Sequence, residues 1–117
     1  MKRAAYFALG LLAAALGIGL VLSRHASWWQ LVVLTIAPDL ALMAGAGRDL
    51  ARGQINPRAV PLYNAVHRFW APGALVIVAT ALMSPGWVAG GLAWIAHIAF
   101  DRSLGFGLRS REGFQRS

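Results

Sequence analysis

The sequence predicts an all-α integral membrane protein, a four-helix bundle with both termini in the cytoplasm. Three observations carry that expectation. Hydrophobic residues make up 58% of the 117 positions and charged residues only 13%, whereas an ordinary soluble domain is about 25% charged. A chain this short has too little interior to bury so much apolar surface. The apolar residues gather in four runs, at 4–22, 28–47, 61–83 and 87–106, each close to the ~20 residues a helix needs to cross a ~30 Å hydrocarbon layer. None of the runs alternates as a barrel strand would, and an open strand in lipid leaves its backbone unpaired. The length suits one domain, 1–117.

The first run follows Met1-Lys2-Arg3. A basic start before an apolar stretch is also the form of a signal peptide, but this run exceeds a signal core and Ser23-Arg24-His25-Ala26-Ser27 is a poor cleavage site, so a retained helix is expected. The second opens on Trp28 and Trp29, residues suited to the membrane interface. Pro38 kinks it, because proline cannot donate a helix hydrogen bond, and Asp39 follows directly. A polar loop at 48–60 carries Arg48, Asp49, Arg52, Asn56 and Arg58. The third run holds Tyr63, Asn64, His67 and Arg68 in its first turns, then Pro72. Ser84-Pro85-Gly86 is a tight turn. The fourth run carries His97, Asp101 and Arg102, with Gly105-x-Gly107 as a helix stop and a basic tail at 107–117. Ala13-x-x-x-Gly17 and Gly86-x-x-x-Gly90 are small-residue pairs that let helices approach closely, within the bundle or between copies.

Charge fixes the orientation. With four crossings, the N-terminus, the 48–60 loop and the tail share one side, which holds Lys2, Arg3, Arg48, Arg52, Arg58, Arg109, Arg111 and Arg116. The other side holds Arg24 alone. The basic side is therefore cytoplasmic. The net charge of +7 reads as this juxtamembrane bias, and no nucleic-acid partner is expected. The chain has no cysteine, which excludes disulfides, thiolate metal sites and thiol catalysis.

The polar residues inside the runs point to a site. A charge at mid-bilayer costs about 2.5–3.5 kcal/mol on insertion scales, so it needs a partner or water. At 1.5 Å per residue, Asp39, His67, His97 and Asp101 lie about 12, 9, 13 and 8 Å from the inner ends of three different helices. His97 and Asp101 are i and i+4 and stack on one helix face; Asn64, His67 and Arg68 share another. We expect one polar intramembrane site in the cytoplasmic half, built from Asp39, Tyr63, Asn64, His67, Arg68, His97, Asp101 and Arg102. Imidazole and carboxylate groups suit a divalent metal such as Zn, Mn or Fe, held by Asp39, His67, His97 and Asp101. A bound metal would activate water for hydrolysis. Without metal, the same groups relay protons, or bind an anionic lipid head group or other small ligand through Arg68 and Arg102. A His–Asp pair beside an arginine also serves as a polar clasp between helices. No zinc-protease motif and no nucleophile elbow is present, so the sequence assigns no catalytic residues and leaves the choice between enzyme and binding protein open.

Several segments together resemble a known family. Pro38-Asp39-Leu40, Tyr63-Asn64-x-x-His67 with Pro72, and Trp94-Ile95-Ala96-His97-Ile98-x-Phe100-Asp101-Arg102-x-Leu104-Gly105-x-Gly107-Leu108 resemble domain of unknown function 4260. The His-Ile-x-Phe-Asp-Arg stretch is the most specific part. The family comprises small bacterial membrane proteins, so the resemblance implies a multi-pass protein of a bacterial inner membrane, and it implies no activity. The usual Gly-Tyr pair after Pro-Asp-Leu is replaced here by Leu42-Met43-Ala44. The Thr-His-Leu-Gly segment that often follows Gly-Phe is replaced by Gln115-Arg116-Ser117. The expected partners are the lipid bilayer and either a second copy or a larger membrane complex, in which the chain would act as an accessory subunit.

Overall fold

The computed structural model describes residues 2–47 and 49–115. Six α-helices form: α1 (Lys2–Arg24), α2 (Trp29–Ile36), α3 (Leu40–Ala44), α4 (Val60–Val66), α5 (Trp70–Ala81) and α6 (Pro85–Ser103), with short 3-10 turns at Ala37–Asp39 and Pro57–Ala59. The first turn joins α2 and α3 into one continuous helical segment, Trp29–Ala44. The protein is all-α; among the described residues its one β-like feature is an isolated bridge between Arg109 and Gln115.

The four expected spans are corrected in detail. Among the described residues, α1 alone is a helix long and apolar enough to cross a membrane. The run at 28–47 is shortened to Trp29–Ala44 and tightens to a 3-10 turn at Ala37–Asp39. The run at 61–83 is broken at His67–Phe69 into α4 and α5, so the apolar stretch left in α5 has 12 residues. The run at 87–106 is α6, which has 19 residues but carries His97, Asp101 and Arg102. The 48–60 loop ends in a 3-10 turn capped by Asn56, whose side chain accepts from the Arg58 amide at 3.0 Å. Of the orientation charges, Arg48 and Arg116 lie outside the described residues, as do Met1 and Ser117.

Proline placement explains both breaks. Pro38 and Pro72 are buried, and each lacks the N–H that would bond the carbonyl four residues earlier. The chain tightens into a 3-10 turn at Pro38, and at Pro72 it leaves the helix over the preceding turn.

α6 is the central element, with α1, α2 and α5 packed around it. It suits that place because it is thin. Ala89, Ala93, Ala96 and Ala99 are buried, and its glycines meet its neighbours closely. A Cβ on Gly90 would lie 2.8 Å from Leu34 Cδ1 and 3.2 Å from the Gln30 carbonyl oxygen; one on Gly91 would lie 2.7 Å from Val76 Cγ2. α1 answers with a buried stripe of Gly10, Ala13, Gly17 and Val21, spaced as one helix face. The small-residue pairs read from the sequence thus seat α1 and α2 on α6. The molecule measures 48 × 30 × 19 Å, and its short dimension matches about two helix diameters of ~10 Å.

The two ends differ. At one, Trp29 meets Trp87 edge-on at 5.2 Å, and Arg24, Ser84 and Pro85 line a common crevice. At the other, the tail folds back onto the middle loop. The Ile55 amide donates to the Gly113 carbonyl at 3.0 Å, and Arg109 Nη1 donates to the Gly53 carbonyl at 2.9 Å. Gly113 has φ +102°, and a side chain there would collide with the Ile55 carbonyl, so this contact requires glycine. Lys2 and Arg3 lie at the same end, beside residues 105–108. The tail is therefore a strap tied to the fold.

Candidate metal centre

The site forms where the two breaks face the unbroken α6. Asp39 closes the 3-10 turn after α2, and His67 is the residue at which α4 stops, with φ −106° and ψ 15°. His97 and Asp101 project from one face of α6, one turn apart. One ligand atom from each of these four residues lies within 4.8 Å of every other.

The contacts are cross-paired. His97 Nε2 is 3.1 Å from Asp39 Oδ1 and 3.2 Å from Asp101 Oδ2, while His67 Nε2 is 3.5 Å from each of those oxygens. His67 is 3% exposed, His97 9%, Asp101 26% and Asp39 50%. The centre is thus sealed on the histidine side and open on the Asp39 side.

Both imidazoles are oriented through their other nitrogen. His67 Nδ1 is 2.8 Å from the Tyr63 carbonyl oxygen, and His97 Nδ1 is 2.7 Å from the Thr35 carbonyl oxygen. A carbonyl only accepts, so each Nδ1 carries the proton and donates it. In a neutral His67 ring, Nε2 is then a lone pair facing the carboxylates, whereas His97 Nε2 is within hydrogen-bond distance of Asp39 Oδ1, at 3.1 Å, a contact in which the ring donates. His67 Nε2 is buried and has no hydrogen-bond partner among the described residues.

A family model described as domain of unknown function 4260 matches residues 8–117. The chain belongs to that family. No curated protein and no solved structure matches it.

In this DUF4260 chain the helix breaks expose carbonyls that α6 then satisfies. Trp94 Nε1 donates to the Val66 carbonyl at 2.7 Å, and Arg102 Nη2 donates to the His67 carbonyl at 3.3 Å. Tyr63 stacks on His67 with centroids 4.0 Å apart, and the Arg109 guanidinium lies over the Tyr63 ring, 5.0 Å from its centroid. Aromatic and cation–π contacts of this kind hold the ring plane that carries the ligand.

Four of the eight residues expected at the site converge as potential ligands. The other four are placed elsewhere. Tyr63 supports His67 from outside the cluster. Asn64 turns to the tail, its side chain donating to the Arg109 carbonyl at 3.0 Å and accepting from the Arg109 amide at 2.7 Å. Arg102 points away from the carboxylates, its guanidinium 4.8 Å from the Phe69 ring centroid and 5.7 Å from that of Tyr6. Arg68 is exposed and makes no ion pair among the described residues. It was expected beside Asn64 and His67, but the helix ends at His67, so the i, i+4 geometry stops one residue short of it. Sequence reasoning missed Trp94 as a cap and the strap formed by the tail. The signal for the first is an indole three residues before His97; for the second it is the glycine at Gly113.

An apolar cleft of about 270 Å³ runs beside the cluster between α1, α2 and α6. Ile18, Leu31 and Phe100 form its walls, and His97 and Asp101 stand at its edge.

Proposed function

We propose that this DUF4260 protein is a membrane-embedded metalloprotein that binds one divalent transition-metal ion through His67, His97, Asp39 and Asp101. The observation that carries the reading is the orphaned His67 Nε2, buried and facing two carboxylate oxygens. Four donors around a tetrahedral zinc, at bonds of ~2.0–2.1 Å, sit about 3.3 Å from one another. The four nitrogen–oxygen separations of 3.1–3.5 Å bracket four of the six edges, and a spread of up to 4.8 Å over the whole set would contract on a bound ion. Histidines whose Nδ1–H is held by a carbonyl are the usual metal-binding arrangement, since that bond fixes tautomer and ring orientation. A proton-holding clasp of two imidazoliums and two carboxylates would satisfy His97, but it leaves the proton on His67 Nε2 without a bonded acceptor.

The membrane part of the proposal rests on exposed apolar surface. Leu12, Leu16, Leu22, Val32, Ile77 and Val78 all face outward, from α1, α2 and α5 alike. A bilayer would cover such faces with four crossings, two of them interrupted, in which Trp94 and Arg102 of α6 pair with the Val66 and His67 carbonyls at the second break. Both termini are then cytoplasmic, in a bacterial inner membrane. The same faces would contact a second copy or the helices of a larger complex.

Purified protein stripped by a chelator and returned to equimolar Zn or Mn should regain about one ion per chain. His67→Ala and His97→Ala should each retain less than about a tenth of that. Folded wild-type protein that takes up neither metal would remove the proposal.

Metal-dependent hydrolysis is a second reading, favoured by the exposure of Asp39 and by the cleft beside the centre. His67, His97 and Asp101 would then hold the metal, which would supply an acidified water, and the Asp39 carboxylate would accept the proton of that water. Under it, Asp39→Asn keeps metal while losing cleavage of a long-chain ester probe.

A further inference from the structure

A second site lies on the far side of Arg102. The first turns of α1 and residues 105–108 form an open cleft of about 380 Å³ lined by Lys2, Arg3, Tyr6, Arg102, Gly105 and Phe106, among others. Three of its lining residues are cations and none is acidic. Among the described residues, no carboxylate lies within ion-pair distance of Lys2, Arg3 or Arg102.

The cleft is constructed around its charges. Arg102 is held by the Phe69 and Tyr6 rings and by its bond to the His67 carbonyl. That bond uses one edge of a guanidinium that has five donors. Arg3 lies across Gly105, where a Cβ would come 2.5 Å from Arg3 Nη2. Gly105 also has φ +93°, so this close approach needs glycine twice over. Two guanidiniums and an ammonium gathered without a counter-charge repel one another, and an anion between them turns that cost into attraction. Guanidiniums match phosphate oxygens in pairs, and the Tyr6 hydroxyl is a further donor.

We propose that this cleft binds a phosphate group, as a lipid head group or as a free phosphate. It lies at the end that carries Arg52, Arg58, Arg109 and Arg111, the end expected to face anionic lipid. The proposal is independent of the metal centre.

The test is a titration of wild-type protein in neutral detergent, followed by phosphorus NMR. One arm uses inorganic phosphate and the other dihexanoyl phosphatidylglycerol. Saturable binding of either probe is expected, weakened at least tenfold in Arg3→Gln and in Lys2→Gln and unchanged in Arg111→Gln. Tighter binding of the lipid names a membrane head group as the source; equal binding of both names phosphate itself. Absence of saturable binding in both arms overturns the site. Equal weakening in Arg3→Gln, Lys2→Gln and Arg111→Gln also overturns it, because it shows diffuse attraction to a basic end.

Discussion

The two ring nitrogens of His67 have separate tasks: Nδ1 is anchored to the Tyr63 carbonyl, and Nε2 is left for whatever sits between the carboxylates. A substitution that keeps size but removes Nε2 coordination should therefore act on the ligand first. His67→Gln is expected to lower zinc affinity by at least about tenfold, read by competition with a chromogenic chelator. Trp94 plays a different part, since its indole N–H satisfies the Val66 carbonyl where α4 ends. Trp94→Phe leaves that carbonyl unpaired and should destabilise the protein by about 1–3 kcal/mol. Trp70→Phe, at a position 67% exposed, should leave the unfolding midpoint unchanged in the same thermal scan. These roles explain what was legible at single positions. Asp39, His67, His97 and Asp101 could be grouped from sequence because depth in a membrane follows from counting residues. Asn64 and Arg68 could not be separated from them, because the direction a side chain takes near a helix end depends on where the helix stops.

At the scale of elements, the site depends on two interrupted helices lying against one continuous one. Prolines stand at the interruptions, and carbonyls of the neighbouring turns become anchors: Thr35 for His97, Val66 for Trp94 and His67 for Arg102. Pro38→Ala restores a helix donor and lets α2 run on regularly. It should turn Asp39 away from His97 and weaken metal binding while preserving or raising helix content, measured by circular dichroism beside the zinc competition. The packing of α6 makes a second prediction. Gly90→Ala forces Leu34 and Gln30 apart and should cost about 1–3 kcal/mol. Gly19→Ala meets nothing within 4 Å and should gain up to about 1 kcal/mol from helix propensity. The prolines and small-residue pairs are readable in the sequence. The pairing of a particular glycine with a particular neighbour is not, because it follows from how three helices share one surface of α6.

At the scale of the whole molecule, the two chemically distinct ends matter. Arg24, His25 and the Ser84–Pro85 turn lie at one end, and the basic middle loop, the strap and the start of α1 lie at the other. The absence of cysteine makes single-cysteine labelling clean. In intact cells, an impermeant maleimide should label His25→Cys and leave Arg111→Cys untouched until the membrane is opened. Labelling of both without permeabilisation would refute the orientation proposed from arginine counting. The protein should also remain in the membrane fraction after an alkaline wash, because its exposed apolar faces are spread over several helices.

Composition, run length and charge placement by themselves determined the all-helical class, the small-residue seams and the four residues worth watching, since each follows from local sums along the chain. Only the tertiary structure decided that the second run is interrupted by a 3-10 turn and the third is broken, that residues 107–115 form a strap, and that Arg102 lines a basic cleft rather than the acidic cluster. The physical reason is that sequence spacing gives depth and period, whereas a helix break changes the azimuth of everything beyond it. Azimuth is settled only when α1, α2 and α5 have all found their places on α6.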